Sequence, residues 1–208
     1  MKRRGILSIA ILAFGALASS EFLADLPQKP REEGAVWEGP MFDLPPELHK
    51  EFGPYRKNWE RLTEFEFSGL HWKQFVVIFA NRESDEYLYN YSQYVEQYLD
   101  DGWEEPIERR DFKNYSQGTI FLKEHFTPEN GKPLTPSFIT AMKKMKPGYD
   151  PKYGDWKYYW LGGGGSVIEI GNSSNKNLMT SCIECHANMA DRDYVFATFS
   201  KIGAKKIE

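Results

Sequence analysis

The sequence predicts an α+β domain built on a mainly antiparallel β-sheet, with a few helices and a further helix near the C-terminus. Three observations carry that prediction. Short runs rich in β-branched and aromatic residues recur between turn-forming stretches from Trp72 to Ile170. A single long helical pattern interrupts them, with Tyr87, Tyr91, Tyr94 and Tyr98 on one face. No strand–helix–strand alternation or internal repeat is evident, so antiparallel pairing is the economical way to close a sheet.

Taken in order, Trp72 to Ala80 (WKQFVVIFA) reads as a strand. Ser84 caps the helix that follows, where Leu88, Val95 and Leu99 join the tyrosine stripe, and Gly102 stops it. The stripe is expected to pack in the core. Gly118 to Phe126 (GTIFLKEHF) alternates as a strand: Thr119, Phe121, Lys123 and His125 share one face, and Ile120, Leu122, Glu124 and Phe126 share the other. Phe138 to Lys146 and Trp156 to Leu161 are further strands, separated by a Gly-Pro-Asp-rich turn at 147–155. Gly162 to Gly165 makes a hairpin tip before Val167 to Ile170. It lacks the helix and Lys-Ser/Thr pair of a phosphate-binding loop.

Ahead of this body, 57–208, lie two segments of different composition. Residues 1–18 read as a secretion leader: Lys2, Arg3 and Arg4 precede an apolar run, and Ala16-Leu17-Ala18 offers a cleavage site. The run is shorter than the roughly 18–20 residues of a membrane span, so a cleaved signal peptide is the reading rather than an anchor. Residues 19–56 read as an extended arm, because six of the twelve prolines fall between Pro27 and Pro54. Loss of the leader leaves 23 basic against 30 acidic residues, a net charge of −7 in place of −4. So acidic a chain argues against a nucleic-acid partner. The expected location is the periplasm.

The 208 residues contain two cysteines, and they stand in Cys182-Ile183-Glu184-Cys185-His186. Cys-x-x-Cys-His is the pattern of c-type haem attachment. Thiols one helical turn apart can form thioethers with the two vinyl groups of a porphyrin, and the adjacent imidazole then reaches the iron. A zinc site would want a fourth ligand, yet His49, His71 and His125 are scattered in the sequence. A thioredoxin-like pair would want a βαβ setting. A plain disulfide has the same spacing; export favours haem over it. The expectation is one covalent haem c on Cys182 and Cys185, with His186 as iron ligand. For the opposite side of the iron the candidates are Met142, Met145, Met179, Met189, His71 and His125. A Met or His there favours electron transfer, and an open position favours small-molecule chemistry.

Gly148 to Trp156 (GYDPKYGDW), Tyr158-Tyr159, the CIECH motif and Asp193-Tyr194-Val195-Phe196, in that order, resemble the cytochrome P-460 family, which includes the cytochrome c′-beta proteins. The resemblance implies a mainly antiparallel β domain, a homodimer, a five-coordinate haem, and oxidation of hydroxylamine or binding of nitric oxide. It also implies a periplasmic redox partner. Family enzymes carry a lysine bonded to the porphyrin edge, and Gly118-Thr119 through Lys123-Glu124 is similar to their motif, which assigns that role to Lys123. Phe121 shares its strand face and lines the haem pocket in this reading. The hydroxylamine-oxidising members place an acidic residue over the iron; the register assigns Thr140 to that position. Threonine can hydrogen-bond a ligand but is no base at neutral pH. Haem oxidoreductase and non-catalytic nitric oxide or electron-transfer cytochrome are therefore the two function classes in play.

Overall fold

In the computed structural model, residues 42–82, 85–100 and 111–201 are described. The leader, the arm up to residue 41, the Ser84 cap and the Gly102 stop lie outside the described residues. Seven strands form one sheet: β1 (Glu60–Arg61), β2 (Glu66–Ser68), β3 (Gln74–Ala80), β4 (Ile120–Glu129), β5 (Lys132–Lys144), β6 (Trp156–Gly162) and β7 (Val167–Gly171). Their order is β1-β3-β4-β5-β6-β7, with β2 also on β3, and every strand pairing is antiparallel. With the helices below, this is the α+β class the sequence predicts.

Two strand starts differ from expectation, and two short strands are added. The strand expected from Trp72 begins at Gln74, because Trp72 and Lys73 are both left-handed (φ 55° and 56°), a geometry that turns the chain. β5 starts at Lys132 rather than Phe138, since Asn130-Gly131 (φ 50° and 74°) closes a tight hairpin with β4. β1 and β2 are too short to show a period in sequence.

Alternation gives the central strands β3, β4 and β6 residues buried on both faces. Residues 42–58, of which 42–56 belong to the expected extended arm, contain a 3-10 turn (Pro46–Leu48) and two α-helical turns, α1 (His49–Phe52) and α2 (Tyr55–Asn58), and cover one face. Rings pack edge to face there: Phe42 on Phe126, Phe52 on Tyr159, and Tyr55 on Phe79, at 5.1–5.3 Å. Glu124 points to this side, only 2% exposed, and accepts from Tyr55 Oη at 2.5 Å and from Arg56 Nε and Nη2 at 2.5 and 2.9 Å.

The other face carries Ile78, Phe121, Lys123, Thr140, Met142, and Tyr158, placed side by side by register: Lys123 opposite Ile78 and Thr140, Met142 opposite Phe121 and Tyr158. It is covered by α3 (Asp85–Asp100) and by a C-terminal helical run. That run comprises α4 (Lys176–Leu178), a π-helical turn Met179–Ile183, α5 (Glu184–His186) and a 3-10 turn Ala187–Arg192. Asn175 caps it, its side chain accepting from Asn177 N and Leu178 N, while buried Leu178 and Ile183 anchor it. Of the tyrosine stripe, Tyr87 is core: it is buried against Phe121 and donates to Phe199 O at 2.7 Å.

After the helical run the chain reverses through two left-handed residues, Asp193 and Tyr194 (φ 51° and 67°). Asp193 is buried and well partnered. Its carboxylate accepts from Lys144 Nζ at 2.5 Å and Tyr115 N at 2.8 Å, and its carbonyl from Trp156 Nε1 at 2.9 Å. Tyr194 lies against Gly154, where a Cβ would stand 2.4 Å from the tyrosine ring.

That contact separates two glycines of like conformation. Gly154→Ala is expected to cost roughly 2–4 kcal/mol, combining left-handed strain with ring overlap. Gly148→Ala, at φ +90° with nothing within 4 Å of the new methyl, should cost only about 1–2 kcal/mol. Urea unfolding of the pair checks this; equal losses would deny the Gly154–Tyr194 contact its role.

Arg56→Ala should destabilise by on the order of 3 kcal/mol at neutral pH, because it strips a buried carboxylate of its counter-charge. Burial already raises the Glu124 carboxyl above its usual range, against the downward pull of Arg56. Without Arg56 the folded state holds that proton more tightly than the unfolded chain does. The variant should therefore gain stability as pH falls from 7 towards about 5. The parent should gain less; unfolding titrations at several pH values decide.

Candidate functional site

Between the sheet and the C-terminal run lies an apolar cavity, and the residues singled out in the sequence meet there. Phe121, Lys123, Thr140, Cys182, Cys185 and His186 all line it. Four come from the sheet or helix directly across from one another: Lys123 and Thr140 are cross-strand neighbours, and the two cysteines ride on the π-helical turn and α5. A π-turn inserts an extra residue into the helix and shifts the side chains around it, a distortion common where a helix carries function.

The cysteines are both free thiols. Burial pushes the Cys182 thiol up to about 11, so it stays protonated and apolar in this setting. Among the described residues His186 is held at one nitrogen. Its Nδ1 donates to Tyr194 O at 2.7 Å, and its ring is flanked edge-on by Tyr158 at 5.8 Å and Phe196 at 5.3 Å. A carbonyl can only accept, so Nδ1 carries the proton and Nε2 is left with its lone pair. Burial lowers His186 to about 4, which keeps the ring neutral. The left-handed Asp193-Tyr194 reversal is what presents that carbonyl.

Lys123 extends from β4 into the cavity, where burial lowers its amine to about 8. Its Nζ lies 3.2 Å from His71 Nε2. Thr140 Oγ1 shares a 2.9 Å hydrogen bond with Nε2 of fully buried His125, whose ring stacks on Phe138 at 4.2 Å. Among the described residues His125 Nδ1 has no partner, and neither has the buried Tyr158 hydroxyl. No carboxylate lines the cavity among the described residues. Glu124, next in sequence to Lys123, faces the opposite side of the sheet, as the strand period requires.

Of the candidate ligands opposite His186, only His71 and Met142 line the cavity; Met145, Met179 and Met189 do not. His71 owes its place to the turn between β2 and β3, with Ser68 and Trp72 around it. Their part escaped the sequence reading, in which Trp72 opened a strand. The Ser-Gly pair at 68–69 was the one local sign of a turn.

The donor set fits a haem. It offers two unpaired thiols on a helix, one imidazole with a free Nε2 held by a backbone carbonyl, and aromatic and aliphatic walls. No individually curated protein matches the chain. A family model does: the description Cytochrome P460 matches residues 69–197, which takes in the β2–β3 turn, the sheet face and the whole helical run. The chain thus belongs to the cytochrome P460 family, haem-binding proteins of the c-type cytochrome class.

Proposed function

We propose that this chain is an exported cytochrome with one haem c, joined to Cys182 and Cys185 and ligated by His186, that performs redox chemistry on small nitrogen species such as hydroxylamine or nitric oxide. The observation that carries this reading is the convergence of a Cys-x-x-Cys-His helix, a buried lysine amine and a threonine hydroxyl in one apolar cavity. Export rests on the leader at 1–18. A homodimer and a periplasmic redox partner rest on the family resemblance.

Haem supplies an iron that exchanges electrons and takes a small ligand. The chain's residues set the terms. Tyr194 O fixes the tautomer of His186 so that Nε2 faces the cavity. Burial favours the uncharged amine of Lys123, the form able to bond to a porphyrin edge carbon. Making that bond replaces one N–H and one C–H, and the two protons and two electrons released require an oxidant such as a peroxide. Thr140 offers a ligand its hydroxyl, backed by the neutral imidazole of His125. Burial and neighbouring Lys123 hold His125 well below its ordinary range, so this pair is a weaker proton acceptor than a carboxylate. That difference favours a second reading, capture of nitric oxide without turnover.

Absorption spectra of the haem-loaded protein, ferric and dithionite-reduced, beside Lys123→Ala test the proposal. A red-shifted reduced Soret band that reverts in the variant, with hydroxylamine oxidation falling at least about tenfold, is the expected result. An ordinary c-type spectrum unchanged by the substitution would remove the Lys123 bond and leave nitric oxide capture. Absence of haem after expression with working c-type maturation would overturn both readings.

A further inference from the structure

We propose that His71 is the second axial ligand of the iron, an internal ligand that small molecules must displace; this rests on the haem reading above. The first support is position. His71 sits in the turn between β2 and β3, where left-handed Trp72 and Lys73 reverse the chain. Leu70 and Trp72 on either side are exposed, and all three residues line the cavity. The turn is pinned from outside: the Trp72 ring stacks on Trp160 at 5.5 Å and meets Phe138 edge-on at 5.1 Å.

Orientation is the second support. His71 Nδ1 shares a 2.9 Å hydrogen bond with Ser68 Oγ, three residues earlier on the same turn. Its Nε2 faces only the Lys123 amine among the described contacts, at 3.2 Å. His186 likewise has its Nδ1 tethered, to the Tyr194 carbonyl. Metal-bound histidines are typically held in this way, the second nitrogen committed to a fixed partner.

Spacing is the third. An imidazole nitrogen about 2 Å from a metal puts the ring centre roughly 3 Å from it, so two rings on opposite sides stand about 6–6.5 Å apart. The ring centres of His71 and His186 are 6.4 Å apart. The rival histidine fits less well. His125 does not line the cavity, and it lies stacked on Phe138 with its Nε2 bonded to Thr140. Met142 also lines the cavity, but it is packed into the core cluster between Phe121 and Tyr158.

The consequence is a gated iron. An incoming ligand competes with an imidazole that stays tethered through Ser68 and can return when the ligand leaves. Apparent affinity then falls by the fraction of time that His71 is off the metal.

The test uses the haem-loaded full chain at neutral pH, with a pyridine haemochrome assay reporting covalent haem in every sample. The ferric parent should be low-spin by electron paramagnetic resonance, with the near-infrared magnetic circular dichroism band of two imidazole ligands. His71→Ala should become high-spin, bind carbon monoxide when reduced at least about tenfold faster, and regain the low-spin spectrum on adding imidazole. Met145→Leu and Met189→Leu, at candidate ligands that do not line the cavity, should stay low-spin. A high-spin parent, or a low-spin signal that survives His71→Ala, would overturn the proposal while leaving the haem reading intact. If His71→Ala takes up no haem, His71→Met decides: conversion of the near-infrared band to the histidine–methionine position supports the ligand, and an unchanged band rejects it.

Discussion

The hydrogen bond from His186 Nδ1 to Tyr194 O is the contact on which the site depends. It selects one tautomer of an imidazole that could adopt either, and so decides which nitrogen faces the cavity. A backbone carbonyl can do this only if the backbone cannot move. Here the chain is reversed through Asp193 and Tyr194 in left-handed geometry, a conformation that such residues adopt at a cost. The strain is offset by the partners of Asp193: Lys144 and the Tyr115 amide on its carboxylate, the Trp156 indole on its carbonyl. Those partners lie on β5, on β6 and ahead of β4, so the sheet itself holds the carbonyl in place.

The sheet performs a second task through its two-sidedness. Because adjacent residues point to opposite faces, Lys123 can enter the cavity while Glu124 is locked into a buried cluster with Tyr55 and Arg56. The polar group that would disturb an apolar haem pocket is thereby separated from it by the thickness of the sheet. The segment 42–58 makes this separation workable, since it supplies the counter-charge and the aromatic cover for the far face.

In and beside the cavity, burial pushes the basic groups towards their neutral forms, as it does the Cys182 thiol. Lys123, His71, His125 and His186 are all lowered, and in each the largest cause is burial. The result is a set of neutral imidazoles beside a lysine amine brought closer to neutrality, with no carboxylate among the described residues that line the cavity. Neutral nitrogens are what a metal ligand or a nucleophilic amine must be. They are less suited than a carboxylate to removing protons from a bound substrate.

Much of this was legible in the sequence. The Cys-x-x-Cys-His motif is local chemistry: the thiols and imidazole must be adjacent in sequence to meet one edge of one macrocycle, so their spacing survives without any knowledge of the fold. The alternation on β4 that turns Lys123 and Phe121 to one side is equally local, because a strand has a period of two. The α+β class followed from the same periodicities. What only the tertiary structure decided was non-local. The Asn130-Gly131 hairpin and the two register shifts between His125 and Pro128 together put Thr140 beside Lys123. The turn at 69–73 brings His71 to within 6.4 Å of His186, although 115 positions separate them in sequence. The contact of Gly154 with Tyr194, and the pairing of Asp193 with Lys144, likewise depend on chain reversals. Sequence patterns encode which side of its own element a residue occupies; which elements face one another is decided by the packing of the whole chain.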